Sequence, residues 1–85
     1  MPTVLTMFGW RLFFFMNERN EPIHVHCEKG EKSCKYWLDI EHFDIIEAYS
    51  YHLTGSDIRQ IRKLIFQNFD LIVQEWERIQ HEKNT

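Results

Sequence analysis

The stretch Ile-His-Val-His-Cys-Glu-Lys-Gly-Glu-Lys-Ser-Cys-Lys-Tyr-Trp-Leu, Ile23 to Leu38, decides the fold. Ile23 to Glu28 and Cys34 to Leu38 are strand-like runs on either side of a turn at Lys29 to Ser33. With Gly30-Glu31 as a two-residue hairpin turn, the register follows by counting. Cys27 then faces Cys34 and Val25 faces Tyr36. On the other side His24 faces Trp37, His26 faces Lys35 and Glu28 faces Ser33. A longer turn would change every pair.

Upstream, Val4 to Phe8 and Arg11 to Met16 are β-rich runs separated by Gly9-Trp10, where Gly9 supplies the positive φ of a tight turn. Asn17 to Pro22 is a polar loop with turn chemistry. Downstream, Phe43, Ile45 and Ile46 suit a short fifth strand within Asp39 to Leu53, although a helical turn fits almost as well. Thr54 with Asp57 three residues on resembles a capping box, Asp replacing the usual Glu. From Ile58 the residues Ile61, Ile65, Phe69, Ile72, Val73, Trp76 and Ile79 keep one stripe at helical spacing. Arg59, Gln60, Lys63, Gln67, Asp70, Gln74, Glu77 and Arg78 take the opposite side.

The expectation is therefore an α+β chain, read as a single domain over 1–85. An antiparallel sheet of four or five strands fills the β-rich half, 1–53. One long C-terminal helix over 54–81 packs on one face, with 82–85 a frayed tail. The helical run of about 25 residues would be ~37 Å long, with a bend expected near Asn68, a weak helix former.

A hydrophobic fraction of 44%, with 15% aromatic residues, is enough for a core in 85 residues. A net charge of −3 argues against general coating of DNA, which wants a basic surface. The longest apolar run, Leu12 to Met16, falls far short of the ~20 residues that span a bilayer. Met1-Pro2-Thr3-Val4 lacks a secretory pattern, so the expected location is cytoplasmic, with reduced thiols and no membrane association.

Apolar residues are in surplus. Leu12, Phe14 and Met16 alternate with Phe13 and Phe15, and Val4 and Phe8 oppose Leu5 and Met7, so both sheet faces are greasy. Leu64 and Leu71 widen the helix stripe as well. One helix covers one face, so the expectation is a homodimer or a small protein partner on the second. The plainer alternative is that the end of the helix and the segment 39–53 wrap that surface.

His24 and His26 are the candidate catalytic residues, two imidazoles on one strand face with Cα atoms ~6.6 Å apart. Lys35, Trp37 and Glu21 are the candidate substrate-binding residues around them. One imidazole can take a proton while Lys35 steadies an anion and Trp37 stacks a base, which describes binding or cleavage of single-stranded RNA. A shared metal ion would have to borrow Asp39, Glu21 or His42, because Glu28 lies ~13 Å from His24 along the strand; no metal site and no cofactor is expected. The competing reading is structural, with His24 stacked on Trp37 and hydrogen-bonded to the 17–22 loop. No catalytic constellation is complete. His42, His52 and His81 stand alone, and Cys27 and Cys34 read as small buried apolar groups.

The start Met-Pro-Thr-Val-Leu, the run Phe13-Phe14-Phe15, the segment Asn20 to His26 with its Pro-x-His-x-His pattern, and Tyr36-Trp37-Leu38-Asp39 resemble a family of small bacterial proteins. It is the domain-of-unknown-function family numbered 4160. Leu53-Thr54, the run Ile58 to Phe66 and Trp76 resemble its helical half, so the likeness covers nearly the whole chain. The resemblance implies a β-rich half plus a helix and carries no established activity. It also implies a second small gene alongside, an arrangement similar to toxin–antitoxin modules. Cys27 and Cys34 depart from the family pattern, where small apolar residues are more typical. His52 stands where glycine is expected.

Overall fold

The computed structural model describes residues 3–15 and 20–83. Among them, five strands form one antiparallel sheet in chain order: β1 (Thr3–Met7), β2 (Trp10–Phe13), β3 (His24–Lys29), β4 (Lys32–Asp39) and β5 (Asp44–Tyr51). Two helices follow, α1 (Gly55–Gln67) and α2 (Phe69–Lys83). The class is α+β, and each strand lies beside its sequence neighbour, as short connections favour.

The β3–β4 hairpin adopts the counted register pair for pair, from His24 with Trp37 to Glu28 with Ser33. Gly30 turns it at φ +59°. The first hairpin turns one residue earlier than expected: Met7 pairs with Trp10, leaving Phe8 and Gly9 as the central residues at φ +53° and +81°. Positive φ at both positions is what a type I′ hairpin requires. Phe8 there costs about 1–2 kcal/mol. The compensation is Trp10, fully buried, with its indole N–H donating to Gln60 Oε1 at 2.9 Å. Burying so large an aromatic contributes about 2–3 kcal/mol. Met16, the expected end of the second strand, lies outside the described residues.

The ambiguous segment 39–53 is resolved as strand β5, which satisfies the open edge of β4 and buries Ile45 beside Leu38. It extends the sheet instead of wrapping it. Asp39 accepts from both the backbone N–H and the Nδ1 of His42, at 3.1 and 2.8 Å, which shapes the turn between the strands. The Phe43 ring in that turn lies against Phe66 and Phe69.

The single helix expected over 54–81 is instead two, broken at Asn68. The Asn68 side-chain amide donates to the Leu64 carbonyl at 2.9 Å, and its backbone N–H is shared between Leu64 and Ile65. Its φ of −116° leaves the helical range, and the ladder resumes with Ile72 N–H to the Asn68 carbonyl at 2.9 Å. Because only one residue departs, the apolar stripe stays in phase across the break. Helical structure continues to Lys83, beyond the expected end.

Thr54 and Asp57 form the reciprocal capping box, with Oγ1 accepting from the Asp57 N–H at 3.1 Å and Oδ2 accepting from the Thr54 N–H at 3.0 Å. Lys32 Nζ adds an ion pair to Asp57 at 2.8 Å, tying α1 to the start of β4. Leu12, Val25, Cys27, Cys34, Tyr36 and Leu38 on one sheet face bury Ile61, Leu64, Ile65, Phe69 and Ile72 from the helices. Residues of opposite parity on the strands are therefore turned to the other face.

Candidate functional site

Alternation along the strands gathers a second set of side chains on the face away from the α1 core. Phe13 pairs with His26, His26 with Lys35, and Lys35 with Tyr49, forming a row across four strands. His24 pairs with Trp37 and Trp37 with Ile46 in the next row. A bulge between Lys35 and Tyr36, opposite Ala48, brings Tyr49 and Tyr51 to this face.

The candidate residues converge here, and their surroundings are tightly engaged. His24 is fully buried, and His26 is only 4% exposed. His24 Nδ1 donates to the Pro22 carbonyl at 2.9 Å; a carbonyl only accepts, so Nδ1 carries the hydrogen. Its Nε2 then faces Glu21 Oε2 at 3.8 Å. The ring meets those of Trp37 and Trp76 edge-on, at 5.3 and 5.1 Å. His26 is stacked on Phe13 at 5.5 Å, meets Phe15 at 4.5 Å, and shares a 3.2 Å hydrogen bond between Nδ1 and the Tyr49 hydroxyl. The two imidazoles lie perpendicular at 5.1 Å.

Lys35 is 8% exposed, with Nζ 3.2 Å from Glu21 Oε1 and 4.2 Å above the Trp37 ring. Its charge is thus met by a carboxylate and by an aromatic face. Glu21 therefore links Lys35 and His24 through its two oxygens. Asp39 pairs instead with His42, whose hydrogen bonds hold the Asp39 carboxyl below the usual carboxylate range. Among the described residues no three of His, Cys, Asp and Glu are grouped as a metal would need.

Sequence reasoning brought His24, His26, Lys35, Trp37 and Glu21 to one place, and the structure places them together. It missed Phe13, Phe15, Tyr49 and Trp76. The β2–β3 register joins Phe13 to His26 across an intervening stretch of chain and the Tyr49 register is offset by a bulge, so neither follows from counting. Trp76 sits in the helical stripe, yet the ring closes against Phe14 and His24 at one end of the sheet.

The aromatic cover is incomplete. Phe15, Ile46 and Tyr51 are exposed, and Trp37 and Tyr49 half-buried. The second face is thus apolar and uncovered over part of its area, with the buried histidines beneath. On the core face Cys27 and Cys34 are both reduced and buried. The hydrogen bond that the Cys27 thiol donates to Cys34, together with burial, pushes the Cys27 thiol up and so disfavours the reactive thiolate.

This geometry is joined by a family match: a domain of unknown function, DUF4160, over residues 9–77. The chain belongs to the DUF4160 family. The match runs from the first hairpin turn into α2 and so takes in the whole histidine face of this DUF4160 protein. No curated protein and no solved structure matches it. None of its described helices is long and apolar enough to cross a membrane.

Proposed function

We propose that this DUF4160 protein acts by binding a small protein, either a partner or a second copy, across the outer face of its sheet, as one half of a toxin–antitoxin-like pair. The observation that carries the reading is the partly exposed set Phe15, Trp37, Ile46, Tyr49 and Tyr51 on one face. Aromatic side chains concentrated on a flat surface are typical of the buried centre of interfaces. The engaged condition of His24, His26 and Lys35 supports a framework role, because each is already held by groups of the same chain.

The test is to express the chain with its neighbouring gene product and alone, and to measure mass by light scattering. Ile46→Lys with Tyr51→Lys is expected to abolish a complex formed by the unaltered chain. Monomers throughout, with no complex with the neighbour, would exclude the reading.

A second reading has one specific observation in its favour. Lys35 over Trp37 beside His26 offers a cation and ring faces of the kind that hold single-stranded RNA. In that reading His24 and His26 supply acid–base chemistry while Lys35, Trp37 and Glu21 hold the strand. Labelled oligoribonucleotides that are neither bound nor cut would dispose of it.

A further inference from the structure

A groove of about 460 Å³ lies between the tip of the first hairpin and α1, the helix that packs on the sheet face opposite to that of the histidines. Phe8, Arg59, Gln60, Lys63, Leu64 and Gln67 line it. Arg59 and Lys63 are one helical turn apart and both exposed, a like-charge spacing that destabilises a helix. Neither has a carboxylate partner among the described residues. Arg11, Lys32, Lys35 and Arg78 are by contrast each paired with an acid. A third cation, Lys29, runs its stem over Gly9 at the same turn, so closely that a β-carbon there would meet Lys29 Cε at 3.0 Å. Among the described residues Lys29, Arg59 and Lys63 have no carboxylate partner and lie at or beside this groove, while Arg62, likewise without one, lies over the Phe66 ring.

Phe8 is the second, independent observation. It is 67% exposed and holds φ +53°, a conformation a bulky side chain adopts only under strain. Asn at this position would satisfy the same turn without that strain. Strain retained at an exposed aromatic beside a groove points to a use for the ring. The floor is apolar, since Leu64 is buried, and Gln60 is held in place by the Trp10 indole.

We infer that this groove binds an acidic peptide segment of a protein partner, its carboxylates met by Arg59 and Lys63 and an apolar side chain seated on Phe8 and Leu64. This rests on the proposed protein-binding role but uses different residues. A few point charges around an apolar floor fit carboxylates spaced along a peptide, whereas a nucleic acid wants a continuous basic track.

The experiment uses a fluorescein-labelled peptide alternating glutamate with leucine and phenylalanine, followed by anisotropy at low salt. The unaltered chain is expected to bind it. Arg59→Glu with Lys63→Glu should weaken binding by about tenfold or more, as loss of the ion pairs and their replacement by repulsion implies. Phe8→Asn should weaken binding while raising Tm, a combination that general damage to the fold does not produce. Ile46→Lys with Tyr51→Lys should leave peptide binding intact, which separates this site from the outer sheet face. Three results would overturn the inference: peptide binding indifferent to Arg59→Glu with Lys63→Glu; a labelled oligouridylate bound in place of the peptide; or self-association, lost in that double variant, without peptide binding.

Discussion

Replacing His24 by Ala separates a framework histidine from a catalytic one. The ring is wholly buried between Trp37, Trp76 and His26, so its removal leaves a void that those rigid rings cannot close easily. Aromatic-to-Ala changes in such settings cost about 3–5 kcal/mol. Imidazole is smaller and more polar than phenyl, which puts this term near the bottom of that range. The lost Nδ1–H to Pro22 carbonyl bond adds about 1 kcal/mol. The sum is about 4 kcal/mol, a large share of the ~5–15 kcal/mol that stabilises a typical domain. Urea unfolding followed by tryptophan fluorescence reads this directly, as a fall in midpoint at unchanged slope. His24→Phe should recover most of the void term while losing the polar contacts of the ring, the Nδ1–H bond to the Pro22 carbonyl among them. Stability within about 0.5 kcal/mol of the unaltered chain for His24→Ala would refute the framework argument, since that is the range of ordinary surface changes.

Other outcomes follow from the same structure. Glu21→Gln removes the carboxylate that Lys35 meets at 3.2 Å; with Glu21 40% exposed, the expected loss is about 1 kcal/mol or less in chemical denaturation, well below that of a fully buried pair. The Asp57 carboxyl is lowered to about 2, first by the hydrogen bond from Lys32 and then by the Thr54 N–H. A depressed pKa contributes stability above the unfolded value of about 4, lost as pH falls through the folded one, so Asp57→Asn should flatten the acid limb of the Tm–pH curve between about pH 4 and 2. His52 sits at φ +65°, where the family resemblance led to an expectation of glycine. His52→Gly should relieve about 1 kcal/mol of strain, partly offset by unfolded-state entropy, and calorimetry should show an unchanged or slightly higher Tm.

Much of the fold was legible because the signals are local. Gly30 and the alternation on either side of it determine the β3–β4 register, since a two-residue turn leaves no freedom to slip. Thr54 and Asp57 mark the start of α1 because both halves of the cap lie within one turn. The stripe from Ile58 to Ile79 identifies helical structure and runs through Asn68 in phase, so the break there was legible only as an expected bend, from the weak helix propensity of Asn, and not as two helices. The outer face was readable as a surplus of apolar residues and as the pairing of His24 with Trp37 and His26 with Lys35.

The sequence by itself determined the central hairpin, four of the proposed site residues (His24, His26, Lys35 and Trp37) on one face and the excess of greasy surface, because strand parity and turn chemistry act over a few residues. Tertiary structure alone decided that Phe13 would lie under His26, that Tyr49 would reach its nitrogen, and that Trp76 would close over His24. Those contacts depend on the register between β2 and β3, on a bulge in β5 and on how α2 packs against the end of the sheet. Each is chosen by packing between elements distant in the chain, and such packing leaves no periodic trace in the order of residues.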